Sequence, residues 1–256
     1  MNKNNLAAIY AHRGYHDKPR IPENSMAAFR RAVDHGLASE LDVHLLADGS
    51  LAVFHDEELE RQTGVRGTIE DYDRSNLSRL RLEGTDERIP MFDEVLELYE
   101  DTGLPLLIEL KVNRGNYKAL AAKVCERLDS YKGPFALQSF DPRAMMEIRK
   151  LRPQHKRGQL SKDFFKEREG LPFYQVVMLT NMALNRLVRP DFLNYKFSDR
   201  DRRAVRRGVE RKGLDELTWT IRSAGELRKA LEAGCIPIFE NITPEELEPI
   251  IRDFHR

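Results

Sequence analysis

The sequence predicts an α/β fold, a (β/α)8 TIM barrel with a small insertion after its second strand. Short apolar runs alternate with amphipathic helical stretches along the chain, the mark of βα units and a parallel sheet. Eight such runs can be counted, enough to close a barrel, and 256 residues is close to the length one barrel needs. The rhythm breaks early, across residues 46–90.

Strands are expected at residues 8–12, 40–45, 106–111, 135–140, 157–160, 192–196, 217–221 and 236–240. Helices are expected at 24–35, 92–102, 117–131, 142–151, 224–233 and 244–254, where apolar positions recur at helical spacing. Asp141 precedes Pro142, Ser223 is followed three residues on by Glu226, and Thr243 by Pro244 and Glu246, all helix-start signals. In the break, Asp48-Gly49 reads as a hairpin turn and 51–55 as a short apolar run. Residues 46–90 are therefore expected to form an inserted subdomain within a single barrel domain spanning 1–256. A second irregular stretch, 162–190, contains a candidate extra strand at 176–179.

With 41% hydrophobic and 33% charged residues the chain can bury a core, and no apolar run is long enough to span a bilayer. Lys plus Arg and Asp plus Glu stand at 42 each, so a charged ligand must be met by a local cluster rather than by a global field. Cys125 and Cys235 are far apart, without CxxC spacing, and the N-terminus lacks the apolar core of a signal peptide. A cytoplasmic location is expected, with no stable membrane insertion. No nucleic-acid partner is expected either, since the basic run of Arg200, Arg202, Arg203, Arg206, Arg207 and Arg211 is interleaved with Asp199, Asp201 and Glu210 and reads as a solvated helix face. Oligomeric state is not legible.

In Glu40-Leu41-Asp42-Val43 the carboxylates are two residues apart, so on a strand they share one face while Leu41 and Val43 point toward the helices. Glu109-Leu110-Lys111 repeats that spacing at the end of the third barrel strand, bringing four charged groups to one rim. Three carboxylates crowded in a desolvated mouth repel one another, and a single Lys leaves excess negative charge for a cation. Oxygen donors suit one hard divalent ion, Mg2+ or Ca2+ with Mn2+ also allowed, better than Zn2+. Structural ion pairing with Lys111 or Arg13 is the plain alternative.

His12-Arg13-Gly14 closes the first strand and His55-Asp56 closes the 51–55 run, placing two imidazoles at the rim where barrel enzymes keep their active sites. Imidazole suits proton transfer near neutrality, Arg13 suits a phosphate oxygen, and Gly14 permits close backbone approach. Glu23 falls near the same mouth, while Asn24 or Ser25 caps the first helix. No Ser, Cys or Thr stands among these motifs beside a base, so the attacking oxygen is expected from substrate or water. Phe140 and Trp219 read as apolar walls near a substrate or, equally, as core.

Together Ala11-His-Arg-Gly14, Pro22-Glu-Asn-Ser25, Glu40-Leu-Asp-Val43, Asp48-Gly49, His55-Asp56 and Glu109-Leu-Lys111 resemble the glycerophosphodiester phosphodiesterase family in order and spacing. The resemblance is closest over residues 9–111, continues through Ser139-Phe140 and Trp219-Thr220, and is loose over 159–211. It implies a TIM barrel that hydrolyses glycerophosphodiesters to sn-glycerol 3-phosphate and an alcohol, in lipid and glycerol metabolism. It further implies His12 and His55 as acid/base pair, Glu40, Asp42 and Glu109 as metal ligands, Arg13 and Lys111 as phosphate contacts, and Glu23 as a carboxylate of the site. The glycerol 2-hydroxyl is the nucleophile it suggests, acting through a cyclic phosphate.

Two departures stand out. Ile238-Phe-Glu-Asn241 replaces a strand that in the family ends in Thr-Asp, and Asn241 brings no carboxylate; Ser25 stands for the commoner Thr. A phospholipid-directed, lysophospholipase D-like phosphodiesterase would be favoured by a long exposed apolar loop, and an inactive phosphodiester-binding barrel by loss of a histidine or metal carboxylate. Neither feature is visible in the sequence.

Overall fold

In a computed structural model of the chain, which describes residues 6–168 and 170–254, the eight expected strands wind into one closed barrel. In chain order the strands are β1 (Tyr10–Ala11), β2 (Ala38–Leu45), β3 (Leu51–Val53), β4 (Leu106–Leu110), β5 (Phe135–Ser139), β6 (Arg157–Ser161), β7 (Phe192–Lys196), β8 (Asp215–Ile221) and β9 (Ile236–Phe239). The ring runs β1-β2-β4-β5-β6-β7-β8-β9 with neighbours parallel, and β9 pairs with β1 to close it. Among the described strands β3 alone stands outside, antiparallel to β2 with Val53 opposite Val43. β1 is shorter than expected because the chain turns after Ala11, with Arg13 and Gly14 both in left-handed backbone conformation (φ 55° and 77°). A Cβ on Gly14 would lie 2.9 Å from Ala28 Cβ, so the close approach this glycine permits is to the first helix.

The helices expected at 142–151 and 244–254 have those bounds, and Met26–Asp34, Phe92–Tyr99, Tyr117–Leu128 and Ala224–Glu232 are slightly shorter than expected. Ser25, not Asn24, caps the first: its hydroxyl accepts the Ala28 N–H at 3.1 Å. The basic run lies on and before the helix Arg203–Lys212, which exposes Arg206, Arg207 and Arg211 and buries Val205 and Gly208. No helix among the described residues is long and apolar enough to cross a membrane.

The candidate extra strand at 176–179 is not formed; those residues lie inside the helix Phe173–Thr180. Four apolar residues in a row suit a strand and a buried helical segment alike. Here Pro172 stands at the helix N-cap, and the closed ring offers no free edge for another strand.

Between β2 and the helix Phe92–Tyr99 the chain forms β3, the short helices Glu60–Thr63 and Arg74–Leu77 and a 3-10 turn at Ile69–Asp71. Leu46, Phe54, Leu59, Ile69, Leu77 and Leu82 from this segment pack together as a cluster of their own. That cluster carries His55 and Asp56 toward the barrel mouth, since the Phe54 N–H donates to the Asp42 carbonyl at 3.0 Å.

Strand parity sorts the barrel interior into layers. Tyr10, Ala38, Leu107, Ala136, Phe192, Leu217 and Ile238 form one inner apolar cluster, drawn from seven of the eight barrel strands. At β6 the place is held by Gly158, where a Cβ would lie 2.0 Å from the Phe192 ring. Two residues further along come His12, Glu40, Glu109, Gln138, Asn194, Trp219 and Glu240, so the polar layer sits directly above the apolar one. The alternate residues Leu41, Val43, Ile108, Leu110 and Leu137 pack outward with the helices. Gly158→Ala is expected to destabilise the barrel by about 1–3 kcal/mol through overpacking, read as a lower denaturation midpoint. An unchanged midpoint would mean that the apolar layer dilates freely.

Candidate active site

Glu40, Asp42 and Glu109 meet at the mouth, each offering a carboxylate oxygen, with the three oxygens within 4.8 Å of one another. Lys111 bridges two of them, its Nζ 3.0 Å from Glu109 and 3.4 Å from Asp42, and Arg13 Nε lies 3.6 Å from Asp42. The ion pairing weighed in the sequence is thus real but incomplete. Among the described residues no Lys or Arg side chain lies within 4 Å of the Glu40 carboxylate, which accepts only the Arg13 backbone N–H at 3.1 Å and has His12 Nε2 4.0 Å away.

The charges respond accordingly. Burial, with Asp42 and Glu109 as like charges beside it, pushes the Glu40 carboxyl well above the usual carboxylate range. Asp42 is held well below that range: burial opposes its ionisation, but Lys111, His55, Arg13 and the Asn24 amide outweigh it. Asn24 donates from Nδ2 to Asp42 at 2.9 Å, while its buried Oδ1 has no hydrogen-bond partner. Three converging carboxylates, one without a cation, beside an orphaned amide oxygen fit a hard divalent ion.

Each histidine is pinned by a carboxylate. His12 Nδ1 lies 2.5 Å from Glu240 Oε2, and His55 Nδ1 lies 2.6 Å from Asp56 Oδ1. A carboxylate can only accept, so Nδ1 carries the proton and Nε2 of each ring is left free. Burial, followed by the adjacent Arg13 charge, pushes the His12 imidazole down to about 4 against the pull of Glu240. Arg222 donates to the other Glu240 oxygen at 2.8 Å. His55 is the more open of the two, its side chain 31% exposed against 11% for His12.

Glu23 is buried and fully engaged. It accepts from Arg13 at 2.8 Å, Arg61 at 2.6 Å and Gln62 at 3.2 Å, and pairs with Lys18. Burial opposes its ionisation, yet the Arg13 charge and the Arg61 and Lys18 contacts hold its carboxyl down to about 2. Its reach into the site runs through Arg13, whose buried Nε has no hydrogen-bond partner. Arg61 also donates to Asp56, linking His55 and Arg13 through one chain of charges. Phe140 and Trp219, both half-buried, stand edge to face with ring centroids 5.6 Å apart.

The barrel therefore gathers at one rim all the residues singled out in the sequence: His12, Arg13, Glu23, Glu40, Asp42, His55, Glu109, Lys111, Phe140 and Trp219. The fold adds four residues to that set. In the sequence Asn24 reads only as a cap and Asp56 only as part of a motif, and Arg61 lies in a segment without periodicity. Glu240 is in phase with the inward-facing Ile238, and Asn241 is not, which is the sequence signal for its place in the site.

Residues 12–243 match the glycerophosphoryl diester phosphodiesterase family. A glycerophosphodiester phosphodiesterase from Caldanaerobacter subterraneus subsp. tengcongensis is 27% identical over 253 residues, 95% of this chain and 97% of that one. The lysophospholipase D GDPD1 of Homo sapiens is 38% identical over 122 residues, 43% of this chain and 37% of its own length. Among solved structures, an Oleispira antarctica phosphodiesterase in complex with the product sn-glycerol-3-phosphate superposes with a TM-score of 0.80 at 25% identity, covering 96% of this chain and 97% of that one. Fold and relatives together define an α/β-barrel hydrolase of phosphoric diesters. The chain belongs to the glycerophosphoryl diester phosphodiesterase family.

Proposed function

We propose that the chain hydrolyses glycerophosphodiesters to sn-glycerol 3-phosphate and an alcohol by His12/His55 acid-base catalysis at a site that Glu40, Asp42 and Glu109 equip for one divalent metal ion. The observation that carries this is the pair of imidazoles, each fixed at Nδ1 by its own carboxylate and both close enough to Asp42 to act on its charge or be acted on by it.

Bound there, an Mg2+, Ca2+ or Mn2+ ion would supply positive charge toward the phosphate. The protein's part is to bind and orient. Arg13 and Lys111, which already offset charge on Asp42, would offer the rest of their positive charge to the phosphate oxygens, and Glu23, itself held by Arg61, keeps the Arg13 side chain in place. One ring enters the step neutral and its Nε2 takes the proton of the attacking hydroxyl; the other enters as imidazolium and gives its Nε2 proton to the leaving alcohol. Glu240 and Asp56 hold the Nδ1 proton of each ring, which leaves Nε2 as the nitrogen that exchanges a proton with the substrate. Phe140 and Trp219 wall the apolar side of the mouth.

Among the described residues no protein nucleophile stands in this arrangement, which leaves water or a hydroxyl of the substrate; the family resemblance favours the glycerol 2-hydroxyl, which attacks phosphorus and expels the alcohol, after which water opens the cyclic phosphate. The test is a panel of glycerophosphodiesters with products identified, run beside a 2-deoxy glycerol diester. The analogue is expected to be cleaved at least about 10²-fold more slowly, because an internal attack has become impossible. Cleavage of the analogue at the natural rate would assign attack to water, and absence of glycerol 3-phosphate would overturn the substrate assignment.

A further inference from the structure

Glu240, which fixes His12, has a third basic neighbour that the proposed reaction leaves unused. His16 lies in the loop after β1, and its Nε2 stands 3.8 Å from Glu240 Oε2, the oxygen that meets His12 Nδ1 at 2.5 Å. Its side chain is 4% exposed, and among the described residues neither ring nitrogen has a hydrogen-bond partner. The ring is brought there by its neighbours. The Tyr15 hydroxyl donates to the Ile242 carbonyl at 2.8 Å, and the Tyr15 ring stands edge to face on Phe239 with centroids 5.7 Å apart, so the chain just before His16 is stapled to both sides of Glu240. The Tyr15 N–H donates to the Ala28 carbonyl at 3.0 Å, and Asp17 exchanges backbone hydrogen bonds of 2.9 Å with Ile21, which fixes the chain before and after His16.

A buried donor or acceptor left without a partner costs about 1–3 kcal/mol, which an apolar side chain of similar size in its place would avoid. The imidazole therefore adds little to the fold, and its value lies in what it faces. With His16, the two oxygens of Glu240 have three basic groups around them. Arg222 donates to Oε1 at 2.8 Å from an exposed side chain, while His12 and His16 stand on Oε2. Burial opposes ionisation of Glu240, but the His12 and His16 contacts and the charges of His12 and Arg222 hold its carboxyl far below the usual carboxylate range. Arg222 draws the carboxylate outward, away from His12. A buried Nε2 donor beside Oε2 opposes that pull, and the separation closes to a hydrogen bond with a shift of roughly 1 Å.

We propose that His16 is a positioning residue of the reaction, a donor from Nε2 that keeps Glu240 turned toward His12. This deepens the function proposed above and rests on its assignment of His12. His16→Leu, which fills the space without a donor, is expected to keep Tm at or above its wild-type value, to lower kcat by about five- to tenfold and to leave KM unchanged. His16→Gln, whose side-chain amide donates from the same reach as the imidazole Nε2, should return kcat to within about twofold of wild type. In the Glu240→Gln background His16→Leu should cost less than about twofold more, because the group it acts through is already lost. Nitrogen NMR resonances of the His12 ring read the same coupling without turnover. Wild type should show a protonated Nδ1, His16→Leu a mixture of the two tautomers, and His16→Gln the wild-type pattern. Unchanged kcat in His16→Leu, unchanged His12 resonances, or full additivity with Glu240→Gln overturns the positioning role. A rise in KM alone overturns it as well, by placing His16 on the substrate. Absence of glycerophosphodiester hydrolysis by wild type would sink the substrate assignment, whereas the His12 resonances would still decide the role of His16, so the two failures are distinguishable.

Discussion

His12→Ala is expected to lower kcat by about 10²–10⁴-fold with little change in KM, because under the proposed mechanism it removes a group that exchanges a proton only as the reaction proceeds. His55→Ala should fall in the same range. The partner carboxylate sharpens the test, since Glu240 touches His12 at 2.5 Å and is held by Arg222 on its far side. Glu240→Gln keeps the shape but no longer dictates which nitrogen of His12 carries the proton, so kcat should fall by about tenfold or more while KM stays near its wild-type value. Glu240→Asp, which restores the acceptor at shorter reach, should recover part of the loss. A Glu240→Gln enzyme with unchanged kcat would show that the contact is structural, and near wild-type turnover in His12→Ala would remove that histidine from the mechanism.

Chelation with EDTA is expected to abolish hydrolysis, and Mg2+, Mn2+ or Ca2+ to restore it. Lys111 offsets charge on Asp42 and Glu109, and Arg13 adds to Asp42, but Glu40 is left without a Lys or Arg partner among the described residues. A buried carboxylate in that position either takes up a proton or recruits a cation. Binding should also be visible without turnover: at about 100 times its Kd, an ion that binds only the folded state adds about 2.7 kcal/mol to stability, which raises Tm. Glu109→Gln, which deletes one carboxylate with little change in shape, should shift both the activation curve and the Tm response to higher metal concentration. Full activity after rigorous chelation would mean that Lys111 and Arg13 suffice as the positive charge of the site.

The barrel and most of its rim were legible because the signals are local. A strand buries alternate residues, so Glu40 with Asp42 and Glu109 with Lys111 could be placed on one face from spacing alone. His12-Arg13-Gly14 and His55-Asp56 ended their runs where a parallel barrel opens. The run at 176–179 misled for a related reason: four residues span two strand periods but barely one helical turn, and neither period can be read from so short a piece.

Beyond that, which charge meets which was decided by closure of the ring. Glu240 is 228 residues from His12 in sequence and becomes its partner only because β9 pairs with β1. Arg61 ties Asp56 to Glu23 across the inserted segment, and Lys111 spans two strands to bridge Asp42 and Glu109. Phe165 and Phe173 likewise meet only once the segment after β6 has folded. The eight barrel strands and the shared face of Glu40 with Asp42 and of Glu109 with Lys111 follow from the sequence alone, because a two-residue period is a property of neighbouring residues. The pairing of the ionisable groups was decided by the tertiary structure alone, because electrostatic contact depends on distance in space, which no local spacing encodes.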